Sequence, residues 1–289
     1  MNQEDTILEV KESTLLMQFL LQNLKHKSRD NIKSLLRHGQ VCVDGKAVSQ
    51  FNHALRPGHH VVVKRDRLSD MNLSRDLHIV YEDEYIVLIE KQVGLLSVSA
   101  GGEHITAYSI LSAYVKQQTP SNKIFVVHRL DRDTSGLMMF AKSENVQRIL
   151  QKGWHTNISQ RTYIALVEGM VEKADGTIRS YLFESKAFVV YSSQDPAKGA
   201  LAITHFKTMQ RNKDFSLLEI NLETGKKNQI RVHMQDIGHS IAGDKKYGAS
   251  VNPIGRLGLH ASVLAFTHPI TREFLRFESK IPTKFLRLF

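Results

Sequence analysis

Apolar residues recur along this chain in two rhythms, and the change between them near residue 77 divides it. In the first part Leu15, Leu16, Phe19, Leu20 and Leu24 fall at helical spacing, and a second segment carries Ile32, Leu35 and Leu36 in the same way. Two short helices are expected. The second opens at Ser28, whose hydroxyl can cap the free amides of a first turn, and closes at Gly39, where glycine takes the left-handed conformation that stops a helix. Val41-Cys42-Val43-Asp44-Gly45-Lys46-Ala47-Val48 reads as a hairpin around an Asp-Gly turn, and Val61-Val62-Val63 as a further strand after Pro57-Gly58. The charged stretch 65–76 has no sustained period and reads as a linker. From Leu77 onward short strands are expected at Ile79 to Tyr81, Ile86 to Ile89, Tyr163 to Val167 and Ser216 to Leu222, with helices near Thr106 to Gln117 and Glu144 to Lys152. The fold class expected is α+β: a small α/β domain over residues 1–64, the linker, and a larger domain over 77–289.

A chain of 289 residues is long enough for one full core plus a small satellite domain, and 42% hydrophobic with 24% charged residues is the composition of an ordinary globular protein. Cys42 stands alone between two valines, so it forms no internal disulfide and reads as a buried small hydrophobe, which suits a reducing cytoplasm. The acidic, polar start Met1-Asn2-Gln3-Glu4-Asp5 has no apolar signal core, and no run reaches the ~18 apolar residues of a membrane span. Neither export nor membrane insertion is expected. Fourteen histidines come without paired cysteines or His-Glu-x-x-His, so no metal is expected. The net charge of +10 and pI near 9.6 point to a polyanionic partner, nucleic acid first. On the second helix Arg29, Lys33 and Arg37 form a positive stripe at i, i+4 and i+8, which fits a phosphate backbone.

The densest chemistry lies in His128-Arg129-Leu130-Asp131-Arg132-Asp133-Thr134-Ser135-Gly136-Leu137, directly after the apolar run Ile124 to Val127. If Ile124 to Leu130 is extended, Arg129 and Asp131 share one face and the guanidinium holds the carboxylate ionised. Three plainer readings compete. Asp, Thr, Ser and Gly together make turns. Asp131-x-Asp133-x-Ser135-Gly136 copies the first half of a calcium loop, although Lys142 stands where the bidentate glutamate belongs. The Arg-Asp pair can also be a structural ion pair. A second cluster surrounds Arg231: Ile230, Met234 and Ile237 pack inward at helical spacing, Asn228, Arg231 and Gln235 take another face, and Gly238 ends the helix. Lys226 and Lys227 lie near its start, where the helix dipole favours an anion such as a phosphate.

The whole string His128 to Leu137 resembles the signature of the RluA-type pseudouridine synthases, which isomerise uridine in ribosomal and transfer RNA. The likeness continues, in the family's order, through Arg161-Thr162-Tyr163-Ile164-Ala165-Leu166-Val167-Glu168-Gly169, Gln229-Ile230-Arg231-Val232-His233, Gly243-Asp244-x-x-Tyr247-Gly248 and Leu259-His260-Ala261. It implies the pseudouridine synthase fold, with a mixed, largely antiparallel central sheet flanked by helices and loops. It makes Asp131 the catalytic aspartate, Tyr163 the tyrosine that stacks on the target base, Arg231 the basic partner of the aspartate, and Arg129 a residue that helps displace the base. His128, Arg132, Thr134, Lys226, Lys227, Asn228 and Gln229 are then expected around the RNA. The implied chemistry uses no cofactor and no metal, the partner is ribosomal or transfer RNA, and a monomer is the working expectation. Residues Leu15 to Val63 resemble the S-four-type RNA-binding domain found ahead of many such catalytic domains, with Arg29, Lys33 and Arg37 as its RNA contacts. The chain departs from the family at Lys226, where arginine is usual, at Asn228, where histidine is usual, at His59 after Pro-Gly, and at Glu90-Lys91-Gln92, which lacks the usual asparagine and proline. Two alternatives stand beside this reading. One is a catalytically silent RNA-binding or ribosome-assembly protein. The other is a hydrolase pairing Asp131 with Asp133, although alternate strand residues point the same way and do not straddle a sugar.

Overall fold

The computed structural model describes residues 6–24, 27–37, 40–48, 50–63, 76–99, 101, 105–154 and 158–289. Internal contacts divide the chain into two units, Met1–Arg75 and Asp76–Phe289. The stretch expected as a linker lies outside the described residues except for Asp76.

The first unit contains β1 (Thr6–Glu9), β2 (Thr14–Leu15), α1 (Leu16–Asn23), α2 (Arg29–Arg37), β3 (Val41–Val43), β4 (Lys46–Ala47), β5 (Ala54–Leu55) and β6 (His60–Val63). The apolar stripes of both helices meet the sheet: Leu16, Leu20, Ile32, Leu36, Val41 and Val61 form one buried cluster. Ser28 caps α2, its Oγ accepting from the Asn31 amide at 3.2 Å; the expected terminator Gly39 lies outside the described residues. Asp44 and Gly45 both take positive φ (47° and 79°), the geometry whose twist matches paired strands, and β3 pairs with β4 across them. The sheet order is β1-β6-β3-β4, and β2 pairs with β5 apart from it. His59 closes its own turn, with Nδ1 accepting from the Arg56 amide at 3.3 Å. Cys42 is buried, as expected.

The second unit is built on one large sheet. Its elements are β7 (Leu77–Glu82), β8 (Ile86–Lys91), α3 (Ala107–Gln118), β9 (Phe125–Val126), β10 (Ser135–Ala141), α4 (Glu144–Lys152), β11 (Ile158–Glu168), β12 (Asp175–Glu184), β13 (Val190–Ser193), β14 (Ala200–Arg211), β15 (Phe215–Leu222), α5 (Gln229–Asp236), β16 (Leu259–Thr267), β17 (Phe274–Glu278) and α6 (Thr283–Leu286). The strand order is β13-β12-β14-β15-β11-β16-β10-β8-β7, with β17 on β16 and β9 on β10. Apart from the run Ile124 to Leu130, every strand and helix expected from the apolar rhythm beyond residue 77 falls within one of these elements or within a residue of it. Thr106 and Ser109 form a capping box at α3, and Ser143 caps α4. Among the described residues no helix is long and apolar enough to cross a membrane.

One expectation needs correction. The run Ile124 to Leu130 is not a single strand: regular pairing stops at Val126, and 127–131 are irregular before the turn into β10. Arg129 and Asp131 are therefore not set on one face by strand alternation.

The sheet is antiparallel except at its centre, where β10 and β16 run parallel through Ser135↔His260 and Gly136↔Ala261. The two backbones approach so closely there that a Cβ on Gly136 would lie 2.1 Å from the Ala261 carbonyl oxygen, and φ at Gly136 is +113°. Only glycine meets both conditions. Helix α5 covers one face of the sheet, with Ile230 and Met234 packed among Ala165, Val167, Leu218 and Ile220. This packing fixes the height of Arg231 above the strands.

Candidate active site

Asp131 sits on a loop pinned on both sides. Leu130 is buried and double-bonded to Ser97, whose Oγ donates to the Leu130 carbonyl (2.6 Å) and accepts from its amide (3.1 Å). On the other side the Arg132 carbonyl accepts from Lys91 Nζ (3.0 Å) and from the Gly94 amide (2.9 Å), and the Thr134 amide donates to the Asp131 carbonyl (3.2 Å). Lys91 is fully buried, and its ammonium also donates to the carbonyls of Gln92 and Leu95. Burial pushes its pKa down to about 8, against the pull of Asp133 and Asp131. A satisfied buried cation thus ties the 92–95 loop to the aspartate loop. The Asp131 side chain itself keeps 30% of its surface exposed.

Arg231 rises from α5 toward that carboxylate, held from behind. Its Nε and Nη2 make a bidentate pair with Asp244 at 2.6 and 2.8 Å, and Asp244 is buried. The Tyr247 ring lies 4.8 Å from the guanidinium carbon. The remaining nitrogen, Nη1, donates to Asn228 Oδ1 at 3.2 Å and reaches Asp131 Oδ2 at 3.5 Å. Burial works against this charge, but the Asp244 pair outweighs it, with Asp131 adding to the effect, so the Arg231 pKa is raised. The division of labour between the two carboxylates follows. Asp244 takes the strong, geometry-fixing bonds. Asp131 receives a long contact that leaves its oxygens available for chemistry.

Both groups open on a cavity of about 300 Å³, lined also by Arg129, Thr134, Tyr163, Lys226, Lys227 and Leu259. Tyr163 comes from β11 and is half-buried; burial, together with Asp131 and against Arg161, holds its hydroxyl up at about 12, so the phenol stays protonated. A second cavity of about 290 Å³ shares Arg129, Tyr163, Leu222, Gly225 and Lys226 with the first and is walled by His128, Trp154 and Arg161. Gly225 is where Arg161 passes closest, since a Cβ there would meet its Nη1 at 2.8 Å.

The residues expected around the RNA divide into four groups. Arg129, Thr134, Lys226, Lys227, Asn228 and Gln229 line the first cavity with the three central residues. Gln229 is committed to the fold, bonded to the Thr224 hydroxyl, the Lys226 amide, the Ile203 carbonyl and the Thr204 hydroxyl. His128 lines the second cavity, packs against Trp154 in a tilted arrangement with ring centroids 4.7 Å apart, and accepts from the Met139 amide at 3.0 Å. Burial, reinforced by Arg161, pushes its pKa down to about 3, so it is a neutral ring. Arg132 turns away, its Nε donating to the Gly94 carbonyl at 3.2 Å. In the first unit Arg29 and Lys33 are exposed on α2, and the side chain of Arg37 lies outside the described residues. The cation beside Asp131 is Arg231; among the described residues Arg129 makes no ion pair with it. Asp244, Tyr247 and Lys91 received no role from sequence reasoning. The first two belong to the quoted Gly243-Asp244-x-x-Tyr247-Gly248 string, which was the available signal. No group of three or more His, Cys, Asp or Glu side chains among the described residues is arranged to hold a metal ion.

With this geometry in place, comparison with known proteins is informative. The family model described as RNA pseudouridylate synthase matches residues 85–236, from the residue before β8 to the end of α5. An uncharacterized RNA pseudouridine synthase of Bacillus subtilis, YlyB, is 36% identical over 98% of this chain and 95% of its own length. The chain belongs to the RNA pseudouridine synthase family, in its RluA-type branch. The ribosomal large subunit pseudouridine synthase D of Neisseria meningitidis serogroup B is 33% identical over 90% of this chain and 74% of that protein. The solved human RNA pseudouridylate synthase domain-containing protein 4 shares the fold at a TM-score of 0.61 and 21% identity, covering 75% of this chain and 92% of that one. The fold is the pseudouridine synthase fold, and the protein is an RNA-modifying isomerase of that family.

Proposed function

We propose that this synthase converts uridine in ribosomal RNA of the large subunit to pseudouridine, with Asp131 as the catalytic carboxylate. The observation that carries the reading is the single cavity holding Asp131, Tyr163 and Arg231, with the arginine anchored on Asp244 rather than locked onto Asp131. The substrate class rests on relatives named for the ribosomal large subunit, among them the proteins of Neisseria meningitidis and Pseudomonas aeruginosa.

The reaction breaks the bond between uracil N1 and ribose C1′ and forms one from C5 to C1′; a proton leaves C5 and N1 gains one, with no redox change. The uridine has to leave its stack, and the Tyr163 ring replaces part of the lost stacking inside the cavity. Arg129, exposed at the shared rim of both cavities, displaces the base from the RNA side. Asp131 acts on ribose or base while the Nη1 of Arg231, 3.5 Å away, keeps it aimed. Lys226 and Lys227 supply positive charge to the adjoining phosphates. The first unit, in this reading an S-four-type module, adds phosphate contacts through Arg29 and Lys33.

Ribosomal RNA labelled with tritium at uridine C5 and isolated from cells lacking this gene tests the reading. Wild-type protein releases tritium to water and Asp131→Asn does not. Equal release by both, or by neither, contradicts it.

A further inference from the structure

The hairpin between β12 and β13 carries a side chain that the fold does not use. Phe188, at its tip, is 70% exposed, yet it is held at φ +58°, a left-handed conformation that glycine or asparagine takes with little strain and a bulky residue rarely does. The conformation is enforced from several sides. The Phe188 amide donates to the Ser185 carbonyl at 3.0 Å, the Ser185 amide to the Val189 carbonyl at 2.8 Å, and Lys246 Nζ to the Phe188 carbonyl at 2.9 Å. Lys227, ion-paired with Glu184, places its ammonium 5.7 Å from the ring centroid. An aromatic ring that is both strained and exposed gains nothing from burial, and such strain concentrates where a ligand is met.

The surroundings define the ligand. Lys227 touches the ring and also lines the Asp131 cavity, so platform and cavity are joined through one side chain. Lys226 lines the same cavity, and Lys186 is exposed beside Phe188 on the hairpin. A flat ring among ammonium groups matches a nucleotide, with the base on the ring and the phosphate on the lysines. We propose that Phe188 is a stacking platform for an unpaired RNA base adjoining the uridine that is isomerised, a positioning residue for the substrate. The reaction it serves is the one assigned above, but the platform itself is tested by binding.

The probe is large-subunit ribosomal RNA from cells lacking this gene, with retention and tritium release measured on the full chain. Phe188→Gly removes the ring and relieves the backbone strain, so its melting temperature equals or exceeds that of wild type. Its RNA affinity falls about tenfold, within the range for losing one base–aromatic stack. KM rises by the same factor and kcat stays within twofold. Phe188→Tyr behaves as wild type, and Phe188→Leu resembles Phe188→Gly. A Phe188→Gly protein that binds RNA like wild type overturns the proposal, as does a Phe188→Tyr protein that loses as much. If wild type releases no tritium, the reaction assigned above has failed, while the retention of the variants still decides on Phe188.

Discussion

Replacing Asp244 with asparagine separates the two contacts of the Arg231 guanidinium. In the wild type Asp244 accepts two charge-assisted bonds, at 2.6 and 2.8 Å, while Asp131 receives one contact at 3.5 Å. The side chains of Arg231 and Asp244 retain only 15% and 1% of their exposure, so removing the anion leaves a buried cation without its main partner. Breaking a buried pair in this way costs about 3–5 kcal/mol. Asparagine still accepts one bond through its oxygen, which places the loss near ~3 kcal/mol. In a unit of this size that lowers the melting temperature by about 6–12 °C. The freed guanidinium then closes onto Asp131, and a misplacement of about 1 Å at the reacting carboxylate lowers kcat by about 100-fold. Asp131→Asn gives the opposite pattern. Its contact with Arg231 is long and the guanidinium keeps its Asp244 pair, so losing it costs about 1 kcal/mol, and the melting temperature stays within a few degrees of wild type while activity disappears. Thermal melts and single-turnover tritium release on the two variants read both quantities. An Asp244→Asn protein with wild-type melting temperature and kcat within twofold of wild type refutes the division of labour between the carboxylates.

Three further outcomes follow from the same structure. His233 and His260 are buried between hydroxyls, and burial pushes both pKa values down to about 4. The unfolded chain binds these protons near pH 6.5, so stability is full above that pH and falls toward pH 4 by about 1.4 kcal/mol per pH unit for each ring; denaturant midpoints across this window in wild type and His260→Gln differ by one proton, and identical slopes contradict the assignment. Gly136→Ala puts a methyl into the Ala261 carbonyl at a strained φ, and the summed overpacking and strain destabilise by about 3–5 kcal/mol, read as loss of soluble protein or a collapsed denaturant midpoint. Arg29→Glu combined with Lys33→Glu weakens RNA retention and lowers the slope of log affinity against log salt by about one to two units, leaving kcat on saturating RNA unchanged; an unchanged slope removes α2 from the RNA contacts.

The elements were legible wherever local chemistry decides them. Ser28 caps α2, Asp44-Gly45 turns the hairpin, and the continuous apolar run Tyr163 to Val167 marks a central strand. The ordered motifs also pointed to residues that the fold gathers into one cavity: Asp131, Tyr163 and Arg231 are far apart in the chain and share its lining. What stayed hidden depends on long-range geometry. Strand periodicity offered Arg129 as a partner of Asp131, and only the family resemblance named Arg231; regular pairing ends at Val126, and the cation beside Asp131 is Arg231, delivered by a helix 100 residues away. Asp244 was marked only by its place in the Gly243-Asp244-x-x-Tyr247-Gly248 string; its role appears when α5 brings Arg231 over it. Lys91 appeared in the sequence only as part of a departure from the family pattern, yet it is buried on three carbonyls where the 92–95 and 131–133 loops converge. His128 sits three residues before Asp131 in sequence, and its ring is engaged by the Met139 amide and Trp154.

The most direct test of the central claim, that the Asp131 carboxylate isomerises uridine in RNA, is a transcriptome-wide map of pseudouridine in cells lacking this gene and complemented with either wild type or Asp131→Asn. The account predicts that at least one large-subunit ribosomal RNA position loses pseudouridine on deletion and regains it with wild type but not with Asp131→Asn. Restoration by Asp131→Asn, or a map unchanged by deletion, contradicts it.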